Sequence, residues 1–378
     1  MNEIEAPLLT AALIVRNEEF FLEDCLKSIC GLADEILVGD TGSTDGSIEI
    51  ARSFGARVLP VEWREDFAQA RNRVLDRARG RWILSIDADE RLTPFDAAAV
   101  RGVLESTSQL GMDLRFLARP NLTCVPRTRL FRNEADIRFE GIIHEDVEPA
   151  LGRRCRDTGT GVGEVELRIE HWGFEHGERG KHARNLPLLL RELEIRPEQI
   201  LAWCHLADIL GDLGRGSEAL QAHGRALELA RRAEDRNPRH GALAFLSMIE
   251  WKLENDEDPE DLVQEALPLF PRQKHLLWLH ARRLMARSRV GEAIPFLEQV
   301  ACFERSMTDD SYGYDEKLYQ RAAAEGLAAC AQGQENPAAW TEQSVGRTGT
   351  ATPFRVFRPW HVSRPAPPPT LADAGLVE

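Results

Sequence analysis

Apolar and polar positions alternate along the first half of the chain in a pattern that predicts strands and helices in turn. Leu8 to Val15 is an apolar run short enough for a buried strand, and apolar residues at helical spacing follow it up to Gly31. Further strands are expected at Glu35–Gly39, Arg57–Val61 and from Trp82, with helices at Ile48–Phe54 and Phe67–Ala78. This succession is typical of an α/β domain built on a parallel sheet.

Beyond residue 92 the same patterns predict fewer elements. They are a helix at Phe95–Leu104 and strands at Asp113–Ala118, Arg129–Arg132, Ile137–Glu140 and Val165–Ile169. From Ile200 onward strand patterns stop, which indicates an all-α region.

The helical region repeats its own pattern of small and large apolar residues. The intervals from Leu243 to Leu277 and from Ser247 to Ala281 are both 34 residues. This interval equals the tetratricopeptide period, in which two antiparallel helices pack a small residue against a large one. An irregular helical bundle remains an alternative, because Pro259 interrupts the middle unit.

Three regions follow from these patterns. We expect an α/β domain over residues 1–180, tetratricopeptide-like helices over 181–335, and a Pro-rich, disordered tail over 336–378.

Polar side chains follow three of the predicted strands. Asn17 and Glu18 come after the first, Asp40 after the second, and Asp87 with Asp89 after the fourth. Ligands of parallel α/β sheets bind beyond the carboxyl ends of the strands. Three strand ends therefore indicate one site.

Asp87 and Asp89 close the apolar run WILSIDADE. Residues two apart leave a strand on the same side, so we expect both carboxylates to point together. Such a pair requires a cation, and Mg²⁺ or Mn²⁺ is the usual one beside a diphosphate. The motif alone is weak, since 62 of the 378 residues are acidic.

Composition narrows the possible functions. A net charge of −15 argues against a general nucleic-acid binder. The apolar stretch near the start is too short for a signal peptide or a membrane span, and the seven cysteines form no C-x-x-C pair. We therefore expect a cytoplasmic protein that is not integral to a membrane. No dinucleotide or P-loop glycine motif occurs.

Four blocks of the sequence, ALIVRNE, DEILVGDTGSTD, DFAQARN and WILSIDADE, resemble in order and interval the donor site of family 2 glycosyltransferases with the GT-A fold. The resemblance implies that Asp40 contacts the base of a nucleotide-sugar, that Arg71 supports its diphosphate, and that Asp87 and Asp89 form a metal and ribose motif. His171, after the last predicted core strand, resembles the histidine that completes metal coordination in many such enzymes.

The resemblance extends to the acceptor side. Asn17 and Glu18 belong to the first donor block, and the run RLFRNEADIRFEGIIHEDV resembles the sublancin-type peptide S-glycosyltransferases. Lipopolysaccharide-core glucosyltransferases share the DADE residues and are the nearest alternative subgroup for this resemblance. An acidic residue in this region serves as the base in GT-A enzymes, so Glu145 and Asp146 are both candidates, and the pair His144-Glu145 favours Glu145.

The family implies a metal-dependent, inverting transfer of a hexose from a nucleotide-sugar, most often UDP-linked, to a peptide, protein or glycan. In the sublancin-type subgroup the helical extension mediates dimerisation and acceptor handling, which implies a homo-oligomer. Two alternatives stay open: a nucleotidyltransferase, although Leu13 to Glu19 lacks its basic glycine-rich loop, and a non-catalytic repeat scaffold with a remnant transferase domain.

Overall fold

The computed structural model describes residues 6–118, 124–173, 181–232, 238–302 and 316–331. It divides the chain into two compact units, with the division near residue 179. The tail expected at residues 336–378 lies outside the described residues.

The first unit is built on an eight-stranded sheet with the order β3-β2-β1-β4-β7-β6-β8-β5. The strands are β1 (Leu9–Val15), β2 (Glu35–Asp40), β3 (Arg57–Pro60), β4 (Trp82–Ser85), β5 (Glu90–Leu92), β6 (Gly111–Leu117), β7 (Val125–Arg132) and β8 (Val162–His171). The four strands β3-β2-β1-β4 are parallel, as the apolar runs predicted. Because β7 pairs antiparallel with β4, the complete sheet is mixed.

Helices cover both faces of this sheet. They are α1 (Leu22–Ile29), α2 (Ser47–Ser53), α3 (Phe67–Leu75), α4 (Ala97–Ser106) and α5 (Glu148–Thr158). One core contains the buried residues of α1, α2 and α4, and a second core contains those of α3 and α5. The strands between them are buried on both sides, which explains why they are continuous apolar runs.

Two expectations about strands were wrong. Ile137–Glu140 forms no strand, because its only ladder contact is an isolated bridge between Glu140 and Asp146. The run from Trp82 does not stay extended to its acidic end, since β4 stops at Ser85. The short strand β5 and the helix α5 were not anticipated.

The second unit is helical throughout its described residues. Its helices are α6 (Lys181–Ile195), α7 (Ile200–Asp212), α8 (Gly216–Arg232), α9 (Pro238–Glu254), α10 (Glu260–Ala266), α11 (Lys274–Ala286), α12 (Val290–Ala301) and α13 (Glu316–Ala331). The pairs α7/α8, α9/α10 and α11/α12 occupy the three predicted repeats, and Pro259 directly precedes the shortened α10. The expected fold class, an α/β domain followed by tetratricopeptide-like helices, is confirmed.

No helix in the described parts of the chain combines the length and the apolar character that crossing a membrane requires.

Glu35 is the first residue of β2, and its side chain joins this strand to neighbouring segments of the first unit. Its carboxylate accepts hydrogen bonds from Thr10 Oγ1 at 2.7 Å and from the guanidinium groups of Arg57 at 2.5 Å and Arg79 at 2.7 Å. Burial alone would raise the pKa of Glu35, but these hydrogen bonds outweigh it and lower the pKa. The carboxylate is therefore charged in the folded protein and ties β1, β2 and β3 together.

Replacing this carboxylate should destabilise the first unit. We expect Glu35→Ala to lower its free energy of unfolding by about 1–3 kcal/mol, because the buried Thr10 hydroxyl loses the acceptor of its hydrogen bond and keeps only the bond from the Gly80 N–H. Since the folded pKa is lowered, this stabilisation is complete above the ordinary carboxyl pKa and is lost as the pH falls through the folded value. Hydrogen exchange of the β1 and β2 amides measures it separately from the helical unit. Glu62→Ala, at a surface pair with Arg64, is the control and should change little; equal effects would contradict the assigned role.

Candidate functional site

The turns after β1 and β2 are fixed to each other by polar side chains. Asn17 has a positive φ of 58°, a conformation that asparagine tolerates better than most residues. Its Oδ1 accepts the Thr44 N–H at 2.7 Å, and its own N–H donates to Ser43 Oγ at 3.0 Å. The Glu18 N–H donates to Ser47 Oγ at 2.8 Å. Asn17 and Glu18 thus hold the loop that precedes α2.

Asp40 is the last residue of β2 and faces the same loop. Its carboxylate accepts the N–H groups of Ser43 at 3.0 Å and Gly42 at 3.2 Å. Because Val15 pairs with Asp40 and Ala12 with Ser85, the ends of β1, β2 and β4 lie at one edge of the sheet. The edge predicted from the sequence is therefore the edge that the structure forms.

Asp87 and Asp89 lie in a turn beyond β4 rather than on the strand. The Glu90 N–H donates to the Asp87 carbonyl at 3.0 Å, which closes this turn. Their common direction was predicted from the alternation of sides along a strand, which holds only while a strand stays extended. Asp87 contacts Arg71, whereas Asp89 contacts His171.

Asp87 is held by two arginines. Its Oδ1 accepts a hydrogen bond from Arg71 at 2.6 Å, and its Oδ2 lies 4.0 Å from Arg129. Burial alone would raise the pKa of Asp87, but the charges of Arg71 and Arg129 lower it to about 2. Asp87 is therefore ionised at neutral pH.

Glu90 and Arg129 are site residues that the motifs did not reveal. The Glu90 side chain is 2% exposed and pairs with Arg129 at 2.7 Å. Its other oxygen accepts the Asp87 N–H at 2.9 Å. Burial raises the pKa of Glu90 to about 7, against the opposing charge of Arg129. In the sequence, only the position of Glu90 at the end of the DADE residues pointed to the site. No local pattern linked Glu90 to Arg129 on β7.

Glu145 reaches the same cluster from the loop before α5. Its Oε1 accepts a hydrogen bond from Arg71 Nε at 2.6 Å, and both side chains are 10% exposed. Burial raises the pKa of Glu145, while Arg71 opposes the change. One arginine thus bridges Glu145 and Asp87, two residues that are 58 positions apart in the chain.

The neighbours of Glu145 have different roles. Asp146 is exposed, and its Oδ1 accepts the Glu148 N–H at 2.9 Å at the start of α5. A carboxylate is favourable at that end of a helix. Burial lowers the pKa of His144 to about 4, so its imidazole is neutral. Of the two candidate bases, only Glu145 contacts the arginine cluster.

Asp89 and His171 form the second half of the site. His171 Nε2 lies 3.1 Å from Asp89 Oδ2, and the Trp172 N–H donates to the Asp89 carbonyl at 2.8 Å. Burial would lower the pKa of His171, but Asp89 outweighs it and raises the pKa. Residue 173 is glycine, and a Cβ there would overlap Asp89 Oδ2.

This pair fits a divalent cation as two ligands. A carboxylate oxygen and an imidazole nitrogen are suitable ligands for Mn²⁺, and the missing Cβ at Gly173 gives the Asp89 carboxylate the space that it occupies. No set of three histidine, cysteine or acidic side chains that could hold a metal occurs among the described residues. Further ligands would have to come from a bound molecule, for which diphosphate oxygens are suitable.

Comparisons with known proteins find similarity to one family in the first part of the sheet unit. Residues 10–105 match the family model described as glycosyl transferase family 2. A TPR repeat-containing protein of Synechococcus elongatus is 39% identical over 145 residues, which cover 38% of this chain and 36% of that protein. The glycosyltransferase SunS of Bacillus phage SPbeta is 26% identical over 213 residues, covering 51% of this chain and 47% of that protein. The chain thus spans less than half the length of either relative.

A solved structure of glucosyl-3-phosphoglycerate synthase from Mycobacterium tuberculosis with Mn²⁺ and UDP-glucose matches half of this chain. The match covers 50% of this chain and 78% of that one, at 19% identity and a TM-score of 0.38.

The substitution Gly173→Ala, which adds one methyl group, tests whether Asp89 and His171 bind the ion. We expect Gly173→Ala to push the Asp89 carboxylate away from His171 and to weaken Mn²⁺ binding at least about tenfold, since ligand geometry governs affinity. Titration calorimetry with Mn²⁺ in the presence of saturating UDP, whose diphosphate oxygens can supply the further ligands, measures this. Gly102→Ala, at a position of α4 with open space around it, should bind as the unsubstituted protein does. Unchanged Mn²⁺ affinity in Gly173→Ala would mean that this pair does not hold the ion.

Proposed function

We propose that this chain, whose residues 10–105 match the family model described as glycosyl transferase family 2, is an inverting, metal-dependent hexosyltransferase that uses a nucleotide-sugar donor. The observation that carries the proposal is the bridge from Glu145 through Arg71 to Asp87. It places a carboxylate suited to proton removal beside the turn that holds the donor motif.

The donor would bind along the edge formed by β1, β2 and β4. The turns after β1 and β2 offer Asn17, Glu18 and Asp40, and the family match covers all three residues. We assign Asp40 to the base and the Arg71 side of the cluster to the diphosphate. The assignment of uridine as the base rests on the family resemblance.

Asp89 and His171 are the residues that would hold Mn²⁺ or Mg²⁺. When bound, such an ion stabilises the negative charge that develops on a diphosphate leaving group. Asp87 takes a different part, because its charge is already compensated by Arg71 and Arg129. We assign it to orienting the donor beside the ion.

Glu145 is the proposed base. Arg71 binds its Oε1, and we assign its second oxygen, Oε2, to the proton of the acceptor. The acceptor hydroxyl or thiol gives its proton to this oxygen as it bonds to the anomeric carbon. The bond between that carbon and the diphosphate oxygen breaks on the opposite face, which inverts the configuration.

The helical unit is proposed to bind the acceptor or a second copy of the chain. Stacked helix pairs form extended surfaces suited to peptides and to self-association. A peptide, a protein or a glycan is therefore the proposed acceptor class. The seven scattered cysteines, which form no C-x-x-C pair, support the proposal of a cytoplasmic location.

Donor binding should require the divalent ion. We expect UDP to raise the melting temperature only when Mn²⁺ is present, because a ligand that binds the folded state alone stabilises it, by about 2.7 kcal/mol at 100 times its Kd. Asp89→Asn should abolish the shift and leave the fold intact. Asp76→Asn, at a surface pair with Arg138, is the control. A normal shift for Asp89→Asn in EDTA would refute the metal assignment.

Substitutions of the adjacent residues Glu145 and Asp146 should have different effects on the rate of transfer. We expect Glu145→Gln to lower single-turnover transfer by about 10²- to 10⁴-fold at unchanged UDP-sugar affinity, as loss of a general base does. Asp146→Asn should alter mainly stability, because the Asp146 carboxylate accepts the first N–H of α5. The reverse ranking would transfer the role of base to Asp146.

A further inference from the structure

Helix α3 contacts the loop that carries Glu145 through its first turn. The Phe67 N–H donates to the Ile142 carbonyl at 2.9 Å, and the Ala68 N–H donates to the Gly141 carbonyl at 3.3 Å. The first N–H groups of a helix have no partner within the helix. Here the loop supplies carbonyls to two of them, so the start of α3 and the loop depend on each other.

Asn72 holds the same loop one turn further along α3. Its Nδ2 donates to the Phe139 carbonyl at 2.9 Å, and its Oδ1 accepts the Phe139 N–H at 2.9 Å. An amide side chain that satisfies both backbone groups of one residue fixes that residue in position and orientation. Both hydrogen bonds of the Asn72 side chain therefore go to the loop that carries Glu145.

Arg71 makes the third attachment. Its Nε donates to Glu145, and its guanidinium carbon lies 5.4 Å from the centroid of the Phe139 ring. Its Nη2 points toward the donor side and donates a hydrogen bond to Asp87 Oδ1 at 2.6 Å.

The loop itself is tightly folded between these attachments. Glu140 and Asp146 exchange both backbone hydrogen bonds at 2.9 Å, and Gly141 has a φ of 113°. A Cβ at Gly141 would lie 3.1 Å from the Glu145 Cα, so the chain folds back closely on itself. The backbone at Glu145 therefore has little conformational freedom. The direction of the Glu145 side chain depends on the contacts that α3 makes with the loop.

We infer that α3, the helix of the DFAQARN block, positions the proposed base, and that Asn72 and Arg71 are positioning residues for Glu145. The resemblance assigns this block to the donor, whereas five of the six polar contacts described above lead to residues 139–145. The inference rests on the proposed function, because it takes Glu145 as the base.

Asn72→Ala is the cleanest test, because Asn72 reaches the loop and makes no contact with Asp87 or Asp89. Asn133→Ala is the matched control: Asn133 is also half-buried and donates two hydrogen bonds to backbone, at 3.2 Å to Ala78 and 3.0 Å to Gly80, but away from the Glu145 loop. Release of UDP from UDP-glucose with Mn²⁺ gives kcat, and titration with Mn²⁺ and UDP gives donor affinity.

We expect Asn72→Ala to lower kcat by about 10²-fold, the cost of a displacement near 1 Å, with UDP affinity changed less than about twofold. Asn133→Ala should retain both values. If Asn72→Ala lost UDP affinity at unchanged kcat, the DFAQARN block would act in donor binding and not in positioning Glu145. Equal losses of kcat in both variants would reduce Asn72 to a structural role.

Hydrogen exchange provides a readout that needs no turnover. We expect Asn72→Ala to speed exchange of the amides of residues 139–146, and Asn133→Ala to leave them unchanged. Unchanged exchange in Asn72→Ala would overturn the inference. If the unsubstituted protein binds no UDP and releases none from UDP-glucose, the proposed function fails, while the exchange experiment still decides whether α3 fixes the loop.

Discussion

The first unit depends on how it compensates charge at the edge of its sheet. Two arginines and three carboxylates form a chain, from Glu145 through Arg71, Asp87 and Arg129 to Glu90. In the pair of Arg71 with Glu145, whose side chains are both buried, removing one partner would leave an uncompensated charge, which costs about 3–5 kcal/mol in buried ion pairs. The five residues come from four separate parts of the chain, so each part must be in place before any of the others is satisfied.

Stability alone does not account for this cluster. Burying ion pairs costs nearly as much as their attraction returns, and apolar residues of similar volume can be equally stable. What the charged chain supplies is direction, because a guanidinium donates along fixed lines to two carboxylates at once. In Arg71 those two lines lead to Glu145 and Asp87, which makes orientation the physical reason for the cluster.

Local patterns predicted the parts of this fold that are determined locally. The strands β1, β2 and β4 are buried on both faces, so they are visible as apolar runs without knowledge of their partners. The three residues of β5 form a strand only because β8 lies beside them, and Ile137–Glu140 has the composition of a strand without a neighbour along its length. The contacts of Asn72 with Phe139 span 67 positions, a distance at which no periodicity carries information.

The acidic motif shows the same limit at the level of single side chains. Spacing within DAD was sufficient to place two carboxylates near one edge, but their directions depend on a turn that Glu90 closes through a hydrogen bond to the Asp87 N–H. That turn directs Asp87 to the arginines and Asp89 to His171. A carboxylate between two arginines has its charge compensated and attracts a cation weakly, whereas one beside an imidazole can share a cation with it. The two residues of one motif are therefore chemically distinct, and the distinction arises from tertiary contacts.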